Sequence, residues 1–160
     1  ERVTGRSGRP LAAKWNESGM SAYKGTAVAD FPNLFFIVGP NTGLGHSSMV
    51  FMIESQVSYI VDALRTMRTE GHGSVEVTAA AEQAWSADLQ RRMKRTVWSS
   101  GGCASWYLDK HGNNTTLWPR STFAFRGETA SFDPDVYTVS AVSTTQDPQA
   151  GPTKREAVSS

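Results

Sequence analysis

Cysteine is almost missing from this sequence: Cys103 stands alone among 160 residues. An intramolecular disulfide is therefore excluded, and a lone thiol fits a reducing, cytoplasmic compartment. An excess of charge of one sign is also missing. Sixteen Lys and Arg against fifteen Asp and Glu leave a net charge of +1, without the basic surplus on which phosphate-neutralising nucleic-acid binders depend. Long apolar runs are lacking too. The best, Leu34-Phe35-Phe36-Ile37-Val38, falls far short of the roughly 18 residues of a membrane span. His46, His72 and His111 do not fall at a metal-binding spacing. The sequence opens on Glu1 with no charged-then-apolar leader, so it is expected to begin after processing or inside a longer protein. No internal repeat is present.

What remains is ordinary globular composition, 39% hydrophobic and 19% charged, enough for one domain with a core. Residues 1–30 are rich in Gly, Ser and Arg and show no period, so loops and short strands are expected there. The apolar run 34–38, bounded by Pro32 and by Gly39-Pro40, predicts a strand buried on both faces. Such a strand needs sheet partners, and the rest of the sequence offers few. A glycine-rich loop, 39–45, leads into a long helix whose apolar stripe is Val50, Ile53, Val57, Ile60, Val61, Leu64 and Met67. Met49, Phe51 and Met52 widen that arc, so the first turns are expected to be buried all round. Arg65 and Arg68 in the last turn and Gly71 after it are favourable C-terminal signals.

Residues 74–78 alternate like a short strand. A second helix is expected over 79–97, with Ala81, Trp85, Leu89, Met93 and Val97 as its stripe. Its acidic residues come early and its arginines late, as the macrodipole favours. Residues 98–137 read as irregular but aromatic, and must pack on a surface. The polar stretch 138–160 reads as a disordered tail.

The feature with most chemical content is the order strand, glycine loop, helix. A helix N-terminus leaves backbone N–H groups unpaired and carries partial positive charge, and preceding glycines let a ligand approach closely. The first carboxylate of the helix, Glu54, comes two turns in, so the N-terminus is free of its own negative charge. A plain tight connection capped by Ser47 or Ser48 is the alternative. Gly43-Leu44-Gly45 is not followed by the third glycine of a dinucleotide fingerprint. A hydrolase elbow around Ser47 fits poorly, because the fifth position is Met49 and the serine lies nine residues past the expected strand. Cys103 near His111 lacks an orienting third group for thiol catalysis and reads as an inert buried cysteine. The basic run 91–95 reads as a solvated helix end.

Several segments taken together resemble a known family. Gly25-Thr26, Phe31-Pro32-Asn33-Leu34-Phe35-Phe36, Gly39-Pro40-Asn41-Thr42-Gly43-Leu44-Gly45-His46-Ser47-Ser48 and Phe51-Met52-Ile53-Glu54-Ser55-Gln56 resemble the C-terminal part of the FAD domain of Baeyer–Villiger and related flavin-containing monooxygenases. Gly102-Cys103-Ala104-Ser105-Trp106-Tyr107 and Gly112-Asn113-Asn114-Thr115-Thr116-Leu117-Trp118-Pro119 resemble a late loop of the same enzymes, and Phe132-Asp133-Pro134 with Tyr137 fits where such chains end.

The resemblance covers residues 1–138. It implies an α/β fold, as the C-terminal fragment of a flavoprotein with two dinucleotide-binding domains. Residues 1–70 would be the end of the FAD domain, 71–137 a helix plus an aromatic loop covering cofactor and substrate, and 138–160 the tail. It implies FAD and NADPH as cofactors of the parent. It places Gly39, Pro40, Asn41, Thr42, Gly43, Leu44, Gly45 and His46 near the isoalloxazine ring and Trp106 over cofactor or substrate.

The activity so implied is insertion of oxygen into a ketone or oxygenation of a soft heteroatom, with the remainder of the flavoprotein as partner and a small molecule as substrate. Both of the family's GxGxxG loops, and the fingerprint between them, are absent here. The chain is therefore expected to be inactive alone, with a non-catalytic remnant or binding domain as the alternative.

Overall fold

The computed structural model describes residues 3–45, 48–94, 96 and 108–141. Four α-helices, a short 3-10 turn and one two-stranded sheet form its regular part: α1 (Leu11–Ser18), α2 (Met49–Glu70), β1 (His72–Val77), α3 (Ala79–Met93), α4 (Thr122–Glu128), the 3-10 turn Pro134–Val136, and β2 (Tyr137–Ala141).

The long helices arise where the periodicity places them. Helix α2 ends at Gly71, which adopts φ 72° and returns its N–H to the Met67 carbonyl, the left-handed cap for which glycine is suited. Thr78 caps α3 by accepting from the Ala81 N–H at 3.3 Å. The helix described is Ala79–Met93; Val97 of the expected stripe lies outside the described residues. Helix α1 falls in the N-terminal segment read as loops and short strands. Leu-Ala-Ala-Lys is good helix sequence, Pro10 precedes it and Gly19 at φ 84° stops it. Two turns were too few to register as a period. Helix α4 in the aromatic segment is shorter still, and Ser121 caps it by accepting from the Ala124 N–H at 3.2 Å.

Strand β1 pairs antiparallel with β2, with Val75 opposite Val139 and Val77 opposite Tyr137, and with an irregularity between His72 and Ser74. The first residues of the expected tail, 138–141, are thus ordered by pairing with β1 rather than disordered. Residues 142–160 lie outside the described residues.

Two further expectations are corrected. Residues 34–38 form no strand. Asn33 (φ 58°) turns the chain before them and Val38 (φ 59°) turns it after, leaving only a few extended residues. Among the described residues their one ladder contact is the single bridge between Ala27 and Phe35. The segment is a strap between two apolar clusters: Phe35 packs with Tyr59, Val75 and Tyr137, and Leu34 and Phe36 pack with Leu11, Val28 and Phe31. Ile37 and Val38 are exposed.

The second correction concerns α2, which buries a different face from its most apolar one. Met52, Ser55, Gln56, Tyr59 and Ala63 point inward, while Val50, Val57, Val61 and Leu64 are exposed. The first turns are therefore not buried all round. Polar Gln56 and Tyr59 are tolerated inside because every buried hydrogen-bonding group on them is partnered.

The inner face of α2 is fixed by a polar knot. Asp133 accepts from the Tyr23 hydroxyl at 2.5 Å and the Tyr59 hydroxyl at 2.7 Å, and pairs with the Lys24 ammonium at 3.2 Å. The Lys24 ammonium also lies 4.7 Å from the centre of the Tyr59 ring. Burial, with the neighbouring Asp133 carboxylate and Tyr137 hydroxyl, raises the tyrosine pKa values of Tyr23 and Tyr59 well above the ordinary value. Burial also raises that of Tyr137.

Candidate functional site

The glycine loop between the strap and α2 is tied down on both sides. On one side it meets the 24–26 turn at backbone contact. A Cβ on Gly39 would stand 2.3 Å from the Gly25 carbonyl oxygen, and a Cβ on Gly25 would stand 2.3 Å from Thr42 Cγ2. On the other side the Asn41 and Gly43 N–H groups donate to the Thr115 and Thr116 carbonyls at 2.9 and 2.8 Å, and Trp118 N–H donates to the Gly43 carbonyl at 2.8 Å. The Thr42 hydroxyl closes the turn onto the Gly39 carbonyl at 2.7 Å. Glycine is required at 39 and 43 because a neighbouring backbone carbonyl stands where a side chain would, and at 25 because φ is 63° and the Thr42 methyl fills the space.

All five non-glycine residues with positive φ among the described residues, Lys24, Asp30, Asn33, Val38 and Asn41, fall between positions 24 and 41. Asn and Asp enter that region readily, whereas a β-branched residue there is a genuine outlier. Backbone strain of this kind gathers where a ligand is clamped.

The loop borders a cavity of about 350 Å³ lined by Trp15, Met20, Phe36, Val38, Gly39, Pro40, Thr42, Gly43, Thr115 and Thr116. Trp15 and Phe36 form one wall, their ring centres 5.5 Å apart, and the Trp15 indole N–H is anchored on the Ser21 carbonyl at 3.1 Å. None of the ten lining residues has an ionisable side chain. The cavity can grip and desolvate a flat apolar ligand edge, and it holds no side chain able to act as general acid or base.

The residues nominated from sequence distribute as follows. Gly39, Pro40, Thr42 and Gly43 line the cavity. Asn41 is buried and spends its side-chain amide on the Asn114 and Leu117 carbonyls at 2.7 and 3.0 Å. Leu44 packs against the cluster of Met52, Leu89, Trp118 and Phe125, and Gly45 is exposed. His46 and Trp106, like Ser47 and Cys103 of the rejected hydrolase and thiol readings, lie outside the described residues. Trp15 and Met20 were missed. They belong to the segment without a period, and no sequence signal tied α1 to the glycine loop. Thr115 and Thr116 stood within the quoted late-loop motif without being assigned a role.

A larger, polar cleft of about 650 Å³ borders α1 and α3. Its cations are already matched: Lys14 pairs with buried Glu82 at 2.9 Å and Arg6 with Glu76 at 3.2 Å. Glu82 also accepts from the Ala29 N–H at 2.7 Å and the Ser21 hydroxyl at 2.5 Å. These bonds join α1 to α3 and leave the carboxylate no chemistry to perform.

Among the described residues no group of His, Cys, Asp or Glu can hold a metal ion, and no helix is long and apolar enough to cross a membrane. Among the described residues no glycine-rich phosphate cradle follows a strand. The cavity thus fits the edge of a ring system.

No family model matches the chain. A Baeyer–Villiger monooxygenase from Pseudomonas aeruginosa is 53% identical over 136 residues, which cover 84% of this chain and 26% of that protein. A cyclohexanone monooxygenase from Rhodococcus sp. Phi1, solved bound to NADP+, superposes with a TM-score of 0.74 at 23% identity over 87% of this chain and 27% of that one. OTEMO, solved in complex with FAD and NADP, gives a TM-score of 0.71 at 22% identity, over 86% of this chain and 26% of that one. The chain spans about a quarter of the length of these curated relatives. In sequence the chain is similar to a segment of proteins named Baeyer–Villiger monooxygenase, and in fold to a segment of the solved cyclohexanone monooxygenase.

Proposed function

We propose that this chain is part of a flavin-dependent monooxygenase that uses NADPH and dioxygen to insert oxygen into a ketone or to oxygenate a soft heteroatom, and that it does not turn over alone. The observation that carries the reading is the cavity at the glycine loop. It presents backbone and apolar surface, without an ionisable group, at the place where the family resemblance sets the isoalloxazine ring. A site of this kind suits a cofactor that brings its own reactivity. Bound there, FAD would supply the redox chemistry, taking reducing equivalents from NADPH and passing them to dioxygen.

The chain's own residues would hold and dry the ring. Gly39 and Gly43 present only backbone to it, Trp15, Phe36 and Val38 exclude water, and the Gly39 and Thr42 N–H groups have no partner among the described residues. The same N–H groups favour negative charge on a ring edge. His46 and Trp106 complete the proposed contact set from the resemblance. The adenosine and pyrophosphate halves of both cofactors would be held by the rest of the polypeptide, which also covers the exposed apolar face of α2.

The test is to express the longer polypeptide carrying this segment and follow NADPH oxidation with a panel of cyclic and linear ketones. Oxygen-dependent turnover with products one oxygen atom heavier supports the reading. A folded longer polypeptide that binds flavin and oxidises no NADPH leaves the non-catalytic alternative.

A further inference from the structure

Gln56 lies in the middle of α2, is fully buried and belongs to no part of the chemistry above. Its carboxamide is completely used. Oε1 accepts the Val38 N–H at 2.9 Å. Nε2 donates to the Gly25 carbonyl at 2.9 Å and to Thr26 Oγ1 at 3.0 Å, with the Phe36 carbonyl at 3.5 Å. The orientation of the amide is dictated by these partners: exchanging its ends would set an NH2 against the Val38 N–H and an oxygen against the Gly25 carbonyl. One side chain therefore spans the narrow passage where the 24–26 turn and the glycine loop meet.

Val38 is the residue most in need of such a hold. Its φ of 59° is unfavourable for a β-branched side chain, and strained backbone persists only where its surroundings over-determine it. Its side chain lines the cavity, and its backbone sets the direction of the next N–H, that of Gly39. Releasing Val38 would let its φ relax to a negative value, swing its side chain and turn that N–H away.

We propose that Gln56 is a positioning residue of the flavin site, latching Val38 in its left-handed conformation so that the Gly39 N–H and the Val38 side chain face the cavity. The proposal deepens the flavoprotein reading and rests on it for the identity of the ligand, though not for the latch itself.

The experiment uses the longer polypeptide loaded with FAD. Gln56→Met removes acceptor and donors at similar length. It is expected to shift the visible flavin bands and to slow flavin reduction by NADPH about tenfold or more, as small misplacements of reacting groups do. Adding Val38→Gly should restore the part of the rate that the backbone conformation carries, because glycine holds positive φ unaided, while the part owed to the Val38 side chain stays lost. An unchanged spectrum and rate in Gln56→Met, or a loss that Val38→Gly does not reverse even in part, overturns the proposal.

Hydrogen exchange at the Val38 amide is read in parallel on the unmutated polypeptide, with or without flavin. Slow exchange supports the latch and exchange at the rate of an exposed loop overturns it, even where Gln56→Met does not fold. Absence of bound FAD in the unmutated polypeptide would sink the flavoprotein reading while leaving this second measurement to decide the latch.

Discussion

Met52, Gln56, Tyr59 and Ala63 on one face of α2 are completely buried, whereas Val50, Val57, Val61 and Leu64 on another are between 37% and 60% exposed. The buried face is the more polar of the two. It is held by hydrogen bonds to the 24–26 turn, to Val38 and to Asp133, all within this chain. The exposed face carries Val50, Val57, Val61 and Leu64 interleaved with exposed Glu54 and Arg68, and these aliphatic side chains find no cover among the described residues. A helix that is apolar on two sides belongs inside a larger core. A contiguous uncovered stripe of this sort marks an interaction surface. The local contacts therefore build the site, and the exposed aliphatic side chains support the proposal that the rest of the polypeptide covers the helix's other face.

The sharpest way to break the comparison is at the polar knot. Asp133→Ala strips partners from two buried hydroxyls and from the buried Lys24 ammonium. It should cost about 3–4 kcal/mol, since an orphaned buried charge is expensive, read as a lowered urea midpoint in the chain and in the longer polypeptide alike.

On the other face the two contexts should part. The pair Val61→Lys and Leu64→Lys should change the stability of the isolated chain by less than about 0.5 kcal/mol. The same pair should destabilise the longer polypeptide by about 3 kcal/mol, because there the lysines would be buried. Equal effects in both would mean that the stripe is a free surface.

A smaller effect is expected from Tyr59→Phe, about 1–1.5 kcal/mol for a lost buried hydroxyl network, measured by thermal unfolding. Stability should also depend on alkali. Tyr23, Tyr59 and Tyr137 have pKa values raised in the folded state, so above the ordinary tyrosine value near 10 the native form keeps protons that the unfolded form has released. Stability should be flat with pH below that point as far as these groups are concerned, and should fall as pH rises beyond it. Tyr59→Phe should make that fall shallower.

Much of this was legible beforehand, for physical reasons that differ by element. Helices α2 and α3 are long enough for their period to show, and Gly71 marks the end of one of them. Strand β1 shows itself by alternation. Helices α1 and α4 are too short to show a period and are set by Pro10, Gly19 and Ser121. The run 34–38 misled because burial on two sides looks the same in sequence whether the neighbours are ladder strands or two packed clusters.

The apolar stripe of α2 misled in the opposite sense. Periodicity reports where a helix can be buried, and here no cover is found among the described residues, while Gln56 and Tyr59 go inward on hydrogen bonds that no hydrophobic pattern records. In the site, the glycines declared a close backbone approach. That Asn41 turns into the 114–117 segment, and that Trp15 arrives from another element to wall the cavity, depends on tertiary contacts between distant positions.

The most direct test of the central claim, that this chain supplies the ring-facing part of a flavin site and not the whole of it, is a fluorescence titration of FAD into the 160-residue chain and into the longer polypeptide side by side. The account predicts tight, stoichiometric binding with a perturbed visible spectrum by the longer polypeptide and no saturable binding by the chain. Tight binding by the 160-residue chain alone would contradict it, because the cavity at the glycine loop would then suffice as a complete cofactor site.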